Sequence, residues 1–457
     1  MRLLRGPSGP RPRKPAAKAA APRLGWLDVL RGIAALSVAV YHFGLPFYWF
    51  HATKLPNYID PGIFGVMLFF LVSGYIIPAS LERRGDVRSF WIGRFFRIYP
   101  VVIAVVVLSM VVLPRRHGVV AAWTYEHPLL MLAGNGTMLH ELSGVPGVIG
   151  VMWTLGYEMV FYYFATALFV LNKHRRSAPI AMGFSGAAML LGSWLPLGAL
   201  SHGTHVGARN VTLAGLVVLG AAFVAIFSGR ADLARWGGVL LGSLGLVLVL
   251  LNSRSAGFET LIIFGTMFAG TVLYRWEHGQ LDGLKTAICC GFVIAAGVLA
   301  GYEHDRGEAL WRSWTMTWKS FSFAYLAAWL LFLAGMALRH RRFPRALTWL
   351  GTVSYSVYLL HVPLVRVMEW ALEGRKPFTS WTDRGLLTAA FFGTLLLLSF
   401  LAYHLIEMPF QRLGRRLSDA LNRRFPPSDG PRETAVPPAR EPVAPGAEPV
   451  PAGVPAG

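Results

Sequence analysis

Twelve apolar runs separated by short polar connections pattern the chain between residues 24 and 405. They fall at about 24–43, 61–80, 98–114, 151–171, 179–198, 211–229, 237–251, 258–275, 284–302, 319–338, 348–370 and 385–405. Most approach the length a helix needs to cross the hydrocarbon core of a bilayer, and 237–251 is short for a span. The pattern predicts an all-α fold, a polytopic integral membrane bundle of about 10–12 transmembrane helices. The longest connection on the predicted outer side is 128–150, with Gly134-Asn135-Gly136 and Gly144-Val145-Pro146-Gly147. It reads equally as a lid, a re-entrant piece or a plain linker. After Asn422 the chain turns to Pro, Ala and Glu without an apolar period, which predicts disorder. The expected organisation is a basic arm (1–23), a membrane domain (24–413) and a largely disordered tail (414–457).

Composition sharpens this picture. Hydrophobic residues make up 54% of the 457 and charged residues only 14%, against about 25% charged in soluble domains. The net charge of +20 is not a nucleic-acid footprint, because Lys and Arg crowd the ends of apolar runs. One set of alternate loops carries Arg83-Arg84, Arg88, Arg94 and Arg97; Lys173, Arg175 and Arg176; Arg230 and Arg235; Arg339, Arg341, Arg342 and Arg345. The opposite loops are poorer in basic residues: 45–60 holds only Lys54 and 252–257 only Arg254, with Arg115-Arg116 and Arg375-Lys376 as exceptions. The basic set predicts cytoplasmic loops and cytoplasmic termini, in a multi-pass protein of the inner membrane. Residues 1–23 hold seven basic side chains and no acidic one. The apolar run that follows lacks a small-residue cleavage site, so a retained first helix is expected, its basic arm touching anionic lipid. The two cysteines, Cys289 and Cys290, are adjacent, which suits neither an ordinary bridge nor a metal site, and they read as buried small hydrophobes.

Ionisable groups inside the runs carry the chemistry. In the first run, Arg31 and His42 are eleven residues apart, which returns to one helix face, with Asp28 roughly 40° away. Charges within a span face a bundle interior or a watery cavity. His42 is the candidate general base or transient acyl carrier, and packing against a neighbouring helix is its plain alternative. Glu158, in Trp153-Thr154-Leu155-Gly156-Tyr157-Glu158, is expected at similar depth, where it would partner His42 and set its tautomer. Arg94 and Arg97 share a face one turn apart, a spacing that suits phosphate, although positive-inside bias explains them as well. Asp28 can pair with Arg31. On one polar face, Ser354, Tyr358 and His361 would bind an acceptor or support His42, or simply pack between helices. His404 and Glu407 end the last run, where Glu407 would hold Arg94 or Arg97. Two layers result: Arg31, Arg94, Arg97, His404 and Glu407 near the cytoplasm, with His42, Glu158 and His361 deeper. An enzyme with a donor on one side and an acceptor on the other fits them; a glycan or acyl-donor transporter or flippase is the competing class, without an internal repeat to favour it.

Five motifs in order resemble the membrane acyltransferase-3 family, which includes O-antigen and exopolysaccharide O-acetylases and macrolide O-acyltransferases. They are Leu27-Asp28-Val29-Leu30-Arg31-Gly32 through His42; Phe69-Phe70-Leu71-Val72-Ser73-Gly74-Tyr75; Arg94-Phe95-Phe96-Arg97-Ile98-Tyr99-Pro100; Trp153-Thr154-Leu155 with Glu158; and Ser354 through His361, before Glu407-Met408-Pro409. The resemblance implies acyl-CoA, usually acetyl-CoA, as cytoplasmic co-substrate, with no permanently bound cofactor and no metal. It implies a sugar or glycosylated acceptor, essential roles for His42, Arg31, Arg94 and Arg97, and fewer core helices than twelve. Gly156-Tyr157-Glu158-Met159 departs from the commoner wording, which has a second acid. An esterase-like domain of the kind fused to some members is not found here, so transfer is expected to finish within the membrane domain or to pass to a separate partner.

Overall fold

A computed structural model describes residues 25–44, 58, 60–115, 120–253, 255–304, 317–374 and 380–425. The basic arm and the residues after 425 lie outside these. In chain order the helices are α1 (Gly25–Phe43), α2 (Pro61–Arg84), α3 (Val87–Val112), the short α4 (Trp123–Glu126), α5 (Pro128–Gly136) and α6 (His140–Ser143), then α7 (Trp153–Val170) and α8 (Ser177–Leu191). There follow α9 (His205–Phe227), α10 (Ala231–Leu251), α11 (Gly257–Glu277), α12 (Gly283–His304), α13 (Trp318–Ala337), α14 (Arg345–Ala371), α15 (Trp381–Ala402) and α16 (Met408–Arg424). Each of the twelve apolar runs is met by a helix, although that of 179–198 stops at Leu191, and the described residues hold ten helices long and apolar enough to cross a membrane. The run that is short by hydropathy gains six residues before its apolar stretch, starting at Ala231, so α10 has 21 residues. The segment 128–150 is folded rather than open: Asn135 binds both the Val148 amide and the Pro146 carbonyl, and Asn252 donates to Leu142 O.

α11 is apolar on all sides and buried along almost its whole length, the condition of a central helix. It lies against α2, α8 and α12, while α1 packs between α2 and α14. Small residues permit these crossings, as they do where helices associate in lipid. A Cβ on Gly74 would collide with the Met267 carbonyl, and one on Gly351 with the Asp28 carbonyl. The second contact sets α1 beside α14. It places Gly351 at Asp28 and, further along both helices, His361 at His42.

Proline inside α2 shows how a freed backbone group is satisfied. Pro78 has no amide hydrogen for the Gly74 carbonyl, four residues earlier. The Thr271 hydroxyl of α11 donates to that carbonyl instead, at 2.8 Å. Thr271→Val should leave the oxygen buried and unpaired and cost about 1–3 kcal/mol. A lowered midpoint of thermal unfolding in detergent, against an unshifted midpoint for the neighbouring Thr286→Val control on α12, checks this.

The loop ends gather as the charge pattern predicts. Arg275 pairs with Glu82 and donates to the His174 carbonyl, and Arg339 binds Glu277 at 2.7 Å. The basic loops after α2, α7 and α13 therefore share one end of the bundle. Cys289 and Cys290 are buried and free.

Two further helix boundaries differ from the hydropathy reading. Gly85, in the left-handed region, ends α2, and Asp86 accepts from the amides of Arg88 and Ser89 to start α3 at Val87. This start precedes the apolar run by eleven residues, so Arg94 and Arg97 sit in the second and third turns of a helix rather than at its mouth. At the other end, α16 runs on to Arg424, past residue 413 where the tail was expected, and packs on α3. Ser418 meets Ser89 at 2.6 Å, and Asn422 bonds Arg88 and Ser89.

Candidate active site

α1 carries Asp28 and Arg31 on adjacent turns, 3.8 Å apart, both side chains mostly shielded. Desolvating a guanidinium is costly unless charges and hydrogen bonds compensate it. Here Arg31 faces the carboxylates of Asp28, Glu407 and Glu158, with Arg97 as the opposing cation. Arg31, Arg97 and Glu158 line one cavity of about 650 Å³ between α1, α2, α3, α7 and α14. Phe69, Phe70 and Val66 form its apolar wall, and Ser73, Thr154, Tyr162, Tyr355 and Tyr358 its polar one.

Hydrogen bonds fix most of these groups. Glu158 accepts from Tyr162 at 2.6 Å and from Ser73 at 3.3 Å. The Tyr355 hydroxyl donates to Ile98 O, beside Arg97, and Tyr358 bonds Thr154 Oγ and the Val151 carbonyl. Arg94 does not line the cavity; its guanidinium lies over the rings of Phe90 and Tyr162, 5.2 Å from each centroid. Arg94 and Arg97 are thus joined through Tyr162, whose ring meets one and whose hydroxyl holds the acid beside the other.

Glu407 reaches this region through an irregular turn. Residues Tyr403–Glu407 form a π-helix that ends just before Met408-Pro409. Pro409 cannot donate to the Leu405 carbonyl, and a widened turn takes up the lost bond. Glu407 is buried, accepts from Ser356 and Gln411, and lies in the field of Arg97 and then Arg31. It faces the arginines as expected, but without a direct ion pair to Arg94. His404 does not join it: the ring is exposed and rests on Phe400.

The histidines form a separate pair. His361 Nε2 is 3.2 Å from His42 Nδ1, and the rings are 4.9 Å apart. His361 Nδ1 is 3.3 Å from Val357 O, and His42 Nδ1 is 3.0 Å from Val38 O. Carbonyls only accept, so both Nδ1 atoms carry hydrogen in the neutral rings. His361 Nε2 then accepts from His42 Nδ1–H, which it shares with Val38. The lone pair of His42 Nε2 is left outward at the exposed end of α1. Tyr358 separates this pair from the cavity: its ring lies 5.8 Å from His361 and its hydroxyl faces Thr154.

Three expectations change accordingly. Glu158 does not partner His42; Ser73 and Tyr162 draw it to Arg31 and Arg97, and His361 occupies the position beside His42. Ser354 donates to the Gly351 carbonyl of its own helix and does not line the cavity. Arg31 and Arg97 lie at the depth of Glu158, so the cavity unites groups assigned to two layers. Ser73, Tyr162 and Tyr355 are site residues that the sequence pattern does not single out. Ser73 gives one signal, the single serine within the apolar run Phe69–Tyr75.

The profile of the acyltransferase domain family matches residues 24–404 of the chain. An O-acetyltransferase candidate of Staphylococcus aureus is 30% identical over 182 residues, 35% of this chain and 28% of the relative. The peptidoglycan O-acetyltransferase OatA of Listeria monocytogenes is 24% identical over 416 residues, 85% of this chain and 56% of the relative. The candidate peptidoglycan O-acetyltransferase YrhL of Bacillus subtilis is 24% identical over 409 residues, again 85% of this chain and 55% of the relative. The chain therefore spans little more than half of the longer-matching relatives' length, and less of the first.

Proposed function

The chain belongs to the acyltransferase domain family, and we propose that it is an inner-membrane enzyme moving an acetyl group from acetyl-CoA to a hydroxyl of a cell-envelope glycan or glycosylated acceptor. The observation that carries this reading is a guanidinium-lined cavity ending one aromatic ring away from a histidine pair with a defined free lone pair. Arg31 and Arg97 supply charge for the anionic donor, and Asp28, Glu158 and Glu407 orient them. CoA bears its thioester at the end of a long flexible arm, so phosphates held near the arginines leave the acyl group free to reach past Tyr358. His42 Nε2 takes the proton of the acceptor hydroxyl as its oxygen attacks the thioester carbonyl. The C–S bond breaks, the imidazolium returns the proton to the departing thiolate, and ester and free CoA are the products. His361 keeps Nε2 of His42 unprotonated by accepting from Nδ1.

Purified protein in nanodiscs, given labelled acetyl-CoA and a glycan acceptor, tests the reading. Free thiol should appear only with acceptor present, and the label should move to an alkali-labile ester. In sealed liposomes, label that crosses the membrane without forming a bond would instead establish transport.

A further inference from the structure

Away from the cavity, the turn after α8 meets the end of α12 at Ser193 and His304. Ser193 is exposed, and its Oγ lies 2.5 Å from Nδ1 of the buried His304. The other ring nitrogen, Nε2, lies 2.9 Å from the Met189 carbonyl. Because that carbonyl only accepts, Nε2 carries the hydrogen and Nδ1 offers its lone pair to the serine hydroxyl. A nucleophile, a base and a group that sets the base's tautomer are thus in contact.

Beside them is a pocket of about 320 Å³, walled by Leu195, Leu197 and Phe258. Glycines let its walls approach closely. A Cβ on Gly192 would come within 2.6 Å of Phe258 Cβ, and one on Gly257 within 2.7 Å of Leu195 Cβ. The remaining wall is the first turn of α11, where the capping residue Ala256 has no side-chain acceptor for the turn's amides. Such amides, at the positive end of a 21-residue helix, suit a developing oxyanion. α2 and α11 run side by side in one direction, joined at Gly74–Met267 and Glu82–Arg275, and α2 starts against Tyr41. The pocket therefore lies at the end of the bundle that carries His42.

We propose that Ser193 and His304 form a second nucleophilic site, which accepts a small acyl group from an ester. Ser193 Oγ attacks the ester carbonyl while its proton passes to His304 Nδ1. The C–O bond to the alcohol breaks, and the alcohol leaves with that proton. Water or a second hydroxyl then releases the acyl group from Ser193 by the reverse exchange. The small apolar pocket fits an acetyl-sized group, and the exposed hydroxyl leaves the alcohol portion in solvent. This site does not depend on the reaction assigned to His42.

A fluorophosphonate probe, in which an activated serine oxygen bonds phosphorus and expels fluoride, tests the dyad on the full chain in nanodiscs. Peptide mass spectrometry should find the adduct on Ser193, and none in Ser193→Ala. His304→Gln should react at least about 100-fold more slowly, the usual contribution of a general base. p-Nitrophenyl acetate should likewise leave an acetyl group on Ser193. A wild-type protein with neither adduct at Ser193, or a His304→Gln variant labelled as fast as wild type, overturns the proposal.

Discussion

His42→Ala should lower acyl transfer by at least about 100-fold while leaving acyl-CoA affinity within a factor of two, because a general base contributes about 10²–10⁴ to rate. His42 lies outside the guanidinium cavity, so donor binding should not need it. Its lone pair at Nε2 has no hydrogen-bond partner among the described residues, and its ring is exposed, so truncation removes a reacting group rather than a packing one. His361→Gln separates positioning from chemistry. It should reduce kcat about 10-fold without raising KM for acyl-CoA, and should shift the pH profile, since His42 loses the acceptor that fixes its tautomer. A purely structural role for His361 would lower the amount of folded protein and leave that profile in place. The measurements are steady-state thiol release with purified variants and ester formation on isolated glycan from cells. Full acylation by a correctly inserted His42→Ala protein would end the catalytic assignment.

Much of this arrangement is legible in the chain. Runs of about twenty apolar residues declare helices because a bilayer leaves the backbone no other way to satisfy itself. Parity of the basic loops places Arg31 and His42 at opposite ends of α1. It also makes α14 parallel to α1, which is why two histidines 319 positions apart come to the same end. Their contact is still not readable, since it depends on the rotation of both helices, and that is set by the Gly351–Asp28 crossing. Depth misleads where hydropathy and capping disagree. Arg94 and Arg97 look like loop residues to any hydrophobicity count, yet Gly85 and Asp86 begin the helix well before them. Depth alone matches Glu158 to His42; its true neighbours, Ser73 and Tyr162, come from helix faces. The Ser193–His304 contact leaves no pattern at all, because single residues from two helix ends carry no period.

The largest effect expected within the cavity is at Arg97. Arg31, Arg97 and Glu158 line the cavity, and Asp28, Glu407 and Arg94 lie around it, so three cations face three carboxylates and the region has little spare positive charge. Removing Arg97 reverses that balance and leaves Glu407 facing Arg31 alone. Arg97→Ala should therefore weaken acyl-CoA binding more than the loss of one hydrogen bond to a charged group, itself about 1.5–3 kcal/mol. The donor KM should climb about 100-fold or further, since each 1.4 kcal/mol is roughly a factor of ten, with kcat less affected. Arg97→Lys keeps the charge but loses the planar fork, and should raise KM by about 10-fold. Arg94→Lys offers the contrast: Arg94 stacks on Phe90 and Tyr162 outside the cavity, so its KM effect should be smaller and its loss of thermal stability larger. Equilibrium binding of a non-hydrolysable acyl-CoA analogue to the three variants in nanodiscs reads these differences directly. Equal affinities for wild type and Arg97→Ala would mean that the donor binds elsewhere, and that Arg97 serves to neutralise Glu407.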